Sequence, residues 1–225
     1  MTTHCSVERF GGSVRPAVTA HSIRPGDAST RTVAAAVPAT PTQDSGISAL
    51  ILAGGKATRL GGFPKHTLVV DGRTIFERQC NVLAPRVSEI FVSGAAIRGY
   101  RTVHDVRQDA GPLAGIAAGL AATQTPWLFV IAGDMPYLSG AFADRMLAAR
   151  AEGIDVVGVR RRGLPEPLLC VLHARVYELA MRRLSTGKLK VSGLLTEEGL
   201  AVSWLDDADP RMLLNLNSPE DLASY

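Results

Sequence analysis

Residues 47–65 of this chain read Ile-Ser-Ala-Leu-Ile-Leu-Ala-Gly-Gly-Lys-Ala-Thr-Arg-Leu-Gly-Gly-Phe-Pro-Lys. Within them, Ser48–Leu52 is a short apolar run, which predicts a strand buried on both faces of a sheet. The loop that follows carries two Gly-Gly pairs and three cations, Lys56, Arg59 and Lys65. Glycines let backbone N–H groups approach a ligand, and ligands of open α/β sheets bind where strands end. The stretch therefore predicts a polyphosphate site, with a plain solvated turn as the alternative.

The rest of the chain alternates short apolar runs with segments of helical period, which is typical of strands wound with crossover helices. Apolar residues recur at helical spacing over Phe76–Val87 and Leu113–Leu120, and Pro112 and Ser139 supply helix starts. The link Arg160–Pro167 is too short for a crossover helix and predicts one antiparallel pair. We expect an α/β fold, a single-domain, mostly parallel but mixed sheet of about seven strands with helices on both faces. The strand candidates are Ser48–Leu52, Thr67–Val70, Glu89–Ser93, Thr102–His104, Trp127–Ile131, Asp155–Val159, Leu168–Leu172 and Val202–Leu205.

The first part of the chain has a different composition from the remainder. Residues 1–46 are rich in Ser, Thr, Ala and Pro, contain no Lys and show no apolar periodicity. Such a composition does not offset its own ordering entropy. We predict a disordered N-terminal tail over residues 1–46 and one folded domain over residues 47–225.

Composition excludes several classes of function. The chain has 225 residues, and its 24 Lys+Arg against 21 Asp+Glu give a net charge of only +3, which argues against a nucleic-acid partner. Its apolar runs are too short to cross a bilayer, so no membrane-spanning helix is expected. The three cysteines, Cys5, Cys80 and Cys170, show no disulfide or zinc-ligand spacing, which favours a reducing cytoplasm.

The glycine-rich loop matches neither of two common nucleotide-binding motifs, the P-loop and the Rossmann fingerprint, because the spacing of its glycines differs from both. Its pattern, Leu-Ala-Gly-Gly at 52–55 followed by Arg59, Gly61 and Lys65, instead resembles the signature loop of nucleotidyltransferases of the sugar-nucleotide type. The resemblance is strongest to the molybdenum cofactor guanylyltransferases. Further segments similar to that family follow in the same order: Asp105 with Gly111–Gly115, Gly133–Tyr137, Pro165–Leu168 and Asn215–Leu222.

The resemblance implies a fold of the nucleotide-diphospho-sugar transferase type over residues 47–225. It also implies an Mg²⁺-dependent reaction in which GMP passes from GTP to the phosphate of molybdopterin that carries molybdenum, forming the guanine dinucleotide cofactor and pyrophosphate. The expected partners are GTP, molybdopterin and proteins of molybdoenzyme maturation, with no nucleic acid and no membrane. Phosphoryl chemistry of this kind needs positioning and charge neutralisation more than covalent help.

The resemblance, together with the chemistry of the residues, assigns roles to individual positions. Arg59 and Lys65 are expected to hold the triphosphate, Asp134 to hold the metal, and Asn215 and Asn217 to lie near the second substrate. The residues expected to bind the nucleotide are Leu52, Ala53, Gly54, Gly55, Lys65, Ser93, Asp105, Gly111, Gly115 and Asp134.

Asp134 and Ser93 each have a sequence feature that bears on the expected role. Asp134 closes the apolar run Trp127–Ala132 after Gly133, where a carboxylate is out of place unless it binds something, although it could instead cap the helix that starts near Ser139. Ser93 stands where the family places an asparagine that contacts the nucleotide. A hydroxyl offers fewer donors than an amide, which leaves the choice of nucleotide open.

Three alternatives to guanylyl transfer follow from the same features. Cytidylyl transfer to the same pterin is disfavoured by Gly54-Gly55, because related cytidylyltransferases carry Ala-Gly there and the missing methyl group leaves room for a purine. A sugar-1-phosphate nucleotidyltransferase is the second alternative, and those chains are longer. A catalytically silent nucleotide-binding module is the third, and the presence of both Lys65 and Asp134 argues against it.

Overall fold

The computed structural model describes residues 46–54, 56–57, 63–206 and 208–216. The N-terminal segment that the sequence predicts to be a tail, residues 1–45, lies outside this part, as do Gly55, Arg59 and Asn217. The boundary at residue 46 therefore stays a prediction.

The described part alternates strands with helices. Its strands are β1 (Ile47–Leu52), β2 (Lys56–Ala57), β3 (Phe63–Pro64), β4 (Val69–Val70), β5 (Arg73–Thr74), β6 (Ile90–Ser93), β7 (Arg101–Val103), β8 (Trp127–Ala132), β9 (Val156–Arg161), β10 (Leu164–His173) and β11 (Val202–Leu205). Its α-helices are α1 (Ile75–Leu83), α2 (Pro112–Ala122), α3 (Gly140–Ala148), α4 (Tyr177–Ser185) and α5 (Val191–Leu195). Short 3₁₀ helices cover Lys65–Thr67, Ala174–Val176 and Pro210–Leu213.

Seven strands form the main sheet in the order β11-β9-β10-β8-β1-β6-β7. The strand β1 is central, with β8 on one side and β6 on the other, both parallel to it. The strand β10 runs antiparallel to both of its neighbours, β8 and β9. The predicted mixed α/β sheet is confirmed, and so is the antiparallel pair predicted from the short Arg160–Pro167 link, which is β9 with β10. The structure adds a second antiparallel pair, β10 with β8, because a reversed strand inside a parallel sheet is antiparallel to both of its neighbours.

Hydrophobic residues cover both faces of the sheet, because side chains alternate along each strand. In β1, Ala49 and Ile51 pack in the cluster that contains α1 and α3, whereas Leu50 and Leu52 pack in the cluster that contains α2, α4 and α5. All six residues of β1 are buried. The result is a three-layer arrangement in which the ends of the central strands are the places where polar side chains can reach a ligand.

Local sequence explains where the helices begin. The hydroxyl of Thr74 accepts from the backbone N–H of Glu77 while the Glu77 carboxylate accepts from the Thr74 N–H, so α1 starts with a reciprocal capping box. The hydroxyl of Ser139 caps α3 by accepting from the N–H of Phe142 at 3.2 Å. Pro112 opens α2 at its first turn, as predicted.

One strand prediction was wrong in part. The run Thr67–Val70 does not join the main sheet, since Lys65–Thr67 is a 3₁₀ turn and Val69–Val70 pairs with β5. The physical reason is local: the Thr67 hydroxyl donates to the Pro64 carbonyl at 2.7 Å, and the Leu68 N–H donates to the Lys65 carbonyl at 3.1 Å, which closes a turn. Among the described helices none is long and apolar enough to cross a bilayer.

Candidate functional site

Most of the described residues singled out by the sequence lie at one edge of the sheet. The strands β8, β1, β6 and β7 are adjacent and parallel, so their carboxyl ends share that edge. Asp134 follows β8, Ala53 follows β1, Ser93 ends β6 and Asp105 follows β7. We call this region the carboxyl edge. Ligands of open α/β sheets bind at such an edge.

Two charged site residues in the described part of this edge, Lys65 and Asp134, form an ion pair. The Lys65 Nζ lies 3.0 Å from Asp134 Oδ2, with side chains 21% and 17% exposed. The other carboxylate oxygen, Oδ1, is buried and has no hydrogen-bond partner in the described part of the protein. Natural proteins leave few such atoms unpaired, and an unpaired carboxylate oxygen is free to bind a ligand.

The backbone around Asp134 is held on three sides. Gln79 of α1 donates from Nε2 to the Ala132 carbonyl at 2.7 Å and to the Met135 carbonyl at 3.0 Å. The Leu216 N–H donates to the Asp134 carbonyl at 3.0 Å. These bonds fix the turn that presents the carboxylate. The Leu216 bond also places the exposed preceding residue, Asn215, which is one of the two predicted second-substrate residues, near the Asp134 backbone.

The ends of the central strands approach each other closely through glycine. The Gly133 N–H donates to the Leu52 carbonyl at 2.9 Å, and a Cβ at Gly133 would lie 2.9 Å from that same oxygen. At Gly94, which has φ +81°, a Cβ would lie 2.4 Å from Gly54 Cα. Side chains at these two positions would push the strand ends apart, so glycine is required for the backbone to pack here.

Ser93 and Asp105 form a second polar pair at the carboxyl edge. The Ser93 hydroxyl is buried and donates to Asp105 Oδ1 at 3.0 Å. Gly115 in the first turns of α2 makes room for it, since a Cβ there would lie 2.5 Å from Ser93 Oγ and 3.0 Å from Leu52 Cδ2. The structure thus brings together Leu52, Ser93, Asp105 and Gly115. It also gives Gly111 a φ of +66° as the residue before α2.

The alternative role for Asp134 as a helix cap is not seen, because Ser139 itself caps α3. Gly119 of α2 instead permits close packing of the helix on the sheet, since a Cβ there would lie 2.8 Å from Leu50 Cδ2.

Two residues at this edge were not singled out by the sequence. His66, next to Lys65, is 7% exposed, and its Nδ1 lies 3.2 Å from the Ala53 carbonyl. Gln79 occupies a buried position in the otherwise apolar face of α1 formed by Ile75, Phe76, Cys80 and Leu83. A polar residue in an apolar helical stripe is a signal that sequence alone carries, and it identifies Gln79. Nothing in the sequence pairs His66 with Ala53, because that contact depends on the turn at residues 65–67.

One feature of this site suits a hard divalent cation, namely the carboxylate oxygen Oδ1 of Asp134. Mg²⁺ takes one or two protein carboxylates and completes its shell with phosphate and water oxygens. The buried, unpartnered Asp134 Oδ1 offers such an oxygen. No group of three or more His, Cys, Asp or Glu residues suited to a metal occurs in the described ranges, so a cation here would depend on the phosphates of a substrate.

The fold is that of nucleotidyltransferases, as comparison with solved structures shows. The molybdopterin-guanine dinucleotide biosynthesis protein A of Archaeoglobus fulgidus superposes with a TM-score of 0.65 at 21% identity, over 79% of this chain and 95% of that one. A 2-C-methyl-D-erythritol 4-phosphate cytidylyltransferase from Thermus thermophilus superposes with a TM-score of 0.59 at 19% identity, over 78% and 95%.

The chain belongs to the family of MobA-like NTP transferase domains, whose model matches residues 49–199. Among its relatives, the molybdenum cofactor guanylyltransferase of Pseudomonas putida is 33% identical over 183 residues, which are 78% of this chain and 95% of that protein. The molybdenum cofactor guanylyltransferase of Vibrio campbellii is 29% identical over 192 residues, 82% of this chain and 96% of that protein. The family and fold that the sequence predicted are therefore confirmed.

Proposed function

We propose that this protein transfers GMP from GTP to molybdopterin in its molybdenum-bound form, and that the acceptor group is the terminal phosphate of the pterin. An oxygen of the pterin phosphate forms a bond to the α-phosphorus of GTP, the bond from that phosphorus to the bridging oxygen breaks, and pyrophosphate leaves. The observation that carries the proposal is the Lys65–Asp134 pair at the carboxyl edge, with one carboxylate oxygen unpartnered among the described residues, in a chain whose relatives are named guanylyltransferases.

Lys65 supplies positive charge where the triphosphate is to lie. Its ammonium group bonds to Asp134 Oδ2 and carries the positive charge and N–H donors that phosphate oxygens bind. A charge-assisted contact of this kind neutralises the phosphates and orients them for an in-line displacement. The pterin phosphate is already largely ionised near pH 7, so the attacking oxygen needs no general base.

Asp134 is the residue that would hold Mg²⁺, through Oδ1, and a bound Mg²⁺ would stabilise negative charge that develops on the phosphates. The chain contributes the position of that oxygen. The bonds from Gln79 to the carbonyls on either side of Asp134, and from Leu216 to the carbonyl of Asp134 itself, fix the turn that carries the carboxylate before substrate arrives. Because the donors and acceptors are preset, little reorganisation is needed during the reaction.

The Ser93–Asp105 pair supports a substrate group that donates hydrogen bonds. The Ser93 hydroxyl proton is used on Asp105 Oδ1, so the pair presents acceptor atoms to a neighbouring ligand. Ribose hydroxyls and the N–H groups of guanine are donors of that kind. A family asparagine would present donors as well as an acceptor, so this chain reaches the nucleotide with a different hydrogen-bonding pattern from the one its family resemblance implies.

The test is a direct assay with the purified protein and Mg²⁺. Molybdopterin carrying molybdenum is incubated with each of the four NTPs, and both pyrophosphate and the dinucleotide product are measured. We expect product with GTP and little with the others. Product with CTP instead would make the protein a cytidylyltransferase, and nucleotide binding without product from any NTP would make it a silent binding module. Either result overturns the proposal.

We propose in addition that the reaction depends on Mg²⁺, that the protein is cytoplasmic and that it works with proteins of molybdoenzyme maturation. Dependence on Mg²⁺ is tested by the assay with EDTA, which should abolish the product. The cytoplasmic location rests on the cysteine pattern, to which the structure adds that Cys80 and Cys170 are buried and free. Partner proteins of molybdoenzyme maturation would be sought by affinity capture with the full chain.

A further inference from the structure

His66 lies beside the charged pair of the site, in the short 3₁₀ turn Lys65–Thr67. The residue is 7% exposed, and its ring packs edge-on against Phe76, with ring centroids 6.4 Å apart. The mechanism described above makes no use of it. A buried imidazole next to a charged site residue is expensive to keep unless its nitrogen atoms have a partner.

The partner of the ring is the backbone at the end of β1. His66 Nδ1 lies 3.2 Å from the Ala53 carbonyl oxygen. A carbonyl oxygen only accepts, so Nδ1 must carry the proton and donate. Burial lowers the pKa of His66, and the bond to Ala53 raises it by a smaller amount. The ring is therefore neutral near pH 7, so it places no second positive charge beside Lys65.

Two neighbouring side chains tie this turn to two different strands. Lys65 reaches Asp134 after β8, and His66 reaches Ala53 after β1. The strands themselves are joined at this point by the bond from the Gly133 N–H to the Leu52 carbonyl. Within the turn, the bond from the Thr67 hydroxyl to the Pro64 carbonyl at 2.7 Å fixes its shape, so the turn moves as one unit with whatever anchors it. The direction in which the Lys65 ammonium points thus depends on where His66 anchors the turn.

We propose that His66 is a positioning residue for the transfer reaction, which anchors the turn on the Ala53 carbonyl and so holds the Lys65 ammonium group against Asp134 and toward the triphosphate. This rests on the function proposed above. His66 itself does not touch the reacting atoms. Its effect reaches them through Lys65, because adjacent residues in one tight turn cannot move independently.

The test compares two isosteric variants. In His66→Asn the side-chain amide nitrogen takes the place of Nδ1 and keeps the donor. In His66→Leu a methyl group takes that place and the donor is lost, while both variants lose the same outer half of the ring. We expect kcat/KM for GTP to fall about ten-fold in the leucine variant, mainly through kcat, because a misplacement of about 1 Å costs that much or more. The asparagine variant should stay close to wild type.

Thermal melting separates this role from a merely structural one. Leucine is the more apolar side chain, so the leucine variant should melt at the same temperature as the asparagine variant or higher. Activity and stability should then rank the two variants in opposite orders. Activity losses that simply follow the loss of melting temperature would overturn the proposal. If the leucine variant does not fold, the asparagine variant decides alone: a ten-fold loss at an unchanged melting temperature contradicts it.

A double variant shows whether Lys65 carries the effect. If His66 acts through Lys65, then adding His66→Leu to Lys65→Ala should cost little further activity, since non-additive losses mark residues that act together. Losses that multiply would mean an independent role and would contradict the proposal. Failure of the wild-type protein to form dinucleotide counts against the proposed function, whereas equal activity of wild type and the leucine variant counts against the role of His66.

Discussion

The two edges of the main sheet treat polar side chains in opposite ways. At the edge where β1 and β8 begin, the buried Ser48 hydroxyl lies 3.1 Å from Thr125 Oγ1 and 3.4 Å from Ser88 Oγ. Thr125 in turn donates to the Trp127 carbonyl and Ser88 to the Ile47 carbonyl, both at 2.9 Å. The hydroxyls of this amino edge therefore satisfy one another and the adjacent backbone.

The carboxyl edge leaves hydrogen-bonding capacity open. The Asp134 Oδ1 atom is buried without a partner in the described residues, and the Gln79 Oε1 atom beside the same turn is in that state too. Unpaired buried oxygens cost stability, and natural proteins keep them where they serve binding or catalysis. The satisfied hydrogen bonds of the amino edge therefore stabilise the fold, whereas the carboxyl edge keeps polar groups available for a ligand. The variants below test that contrast.

The largest effect is expected from Asp134→Asn. The amide keeps the shape but removes the charge that would hold a cation, and a lost metal contact is worth several kcal/mol in the transition state. Transfer should fall by orders of magnitude at ordinary Mg²⁺ while the melting temperature stays close to wild type. GTP affinity without metal should change little or improve. The matched control is Asp144→Asn, an exposed carboxylate on α3 that pairs with Arg86. Turnover near wild type in Asp134→Asn would remove Asp134 from the site.

Lys65→Ala should have the next largest effect. A charge-assisted contact to phosphate is worth about 1.5–3 kcal/mol, so GTP binding should weaken and kcat/KM should fall accordingly. Isothermal titration with GTP and steady-state kinetics measure the two quantities. Arg182→Ala, which removes an exposed cation from α4, should change neither. If both variants behaved alike, Lys65 would be an ordinary solvated residue.

Gly115→Ala should disturb the Ser93–Asp105 pair. The new methyl group would lie 2.5 Å from Ser93 Oγ, so the hydroxyl must move, and crowding of this kind costs about 1–3 kcal/mol of unfolding free energy. We expect weaker nucleotide binding in addition. Gly119 lies in the same helix but away from the site, and the variant Gly119→Ala crowds Leu50 of β1. This variant should lower stability and leave the GTP dissociation constant of the folded protein unchanged. A changed dissociation constant would contradict the assignment of Gly119 to the core and of Gly115 to the site.

Ser48→Ala tests the amino edge. It removes hydrogen bonds from a hydroxyl that is 2% exposed, which should lower the free energy of unfolding by about 1 kcal/mol in urea denaturation. Activity should be unchanged because the residue is at the opposite end of β1 from Ala53. A loss of activity out of proportion to stability would show that the two edges are coupled.

The smallest effect is a dependence of stability on pH that involves one histidine at each edge. Burial lowers the pKa of His66 at the carboxyl edge and of His173 at the amino edge below their ordinary value of 6.5. The folded state then binds fewer protons than the unfolded state, so the free energy of unfolding should fall as the pH drops below 6.5. His66→Asn and His173→Asn should each flatten this slope in urea titrations between pH 5 and 7. An unchanged slope would contradict the assigned burial effect.

Much of the fold could be predicted from the sequence because its signals are local. The apolar run of β1, the short link between β9 and β10 and the cap at Ser139 each act within a few residues, and the structure has all three. Thr67 was misassigned to a strand because its side chain bonds locally to Pro64 and closes a turn, which outweighs its strand propensity.

The site could be predicted only as far as its motifs reach. Asp134 and Lys65 were singled out individually, but their 3.0 Å contact depends on how distant segments pack. The same is true of Ser93, whose partner Asp105 follows the next strand of the sheet. His66 had no signal at all, since a lone histidine after a lysine is common and its value comes from the Ala53 carbonyl that the fold places beside it.

The strand pairing has a consequence for the order in which this protein acquires its activity. The hairpin of β9 and β10 turns over Arg162 and Gly163, so its closure costs little chain entropy and it can form early. The strand β1 pairs instead with β8, far along the chain, and contacts of that separation slow folding. Because the ends of β1 and β8, which Ala53 and Asp134 follow, come together only once that pair has closed, we expect nucleotide binding to appear in the last kinetic phase of refolding. Partly folded chains would then compete poorly for GTP.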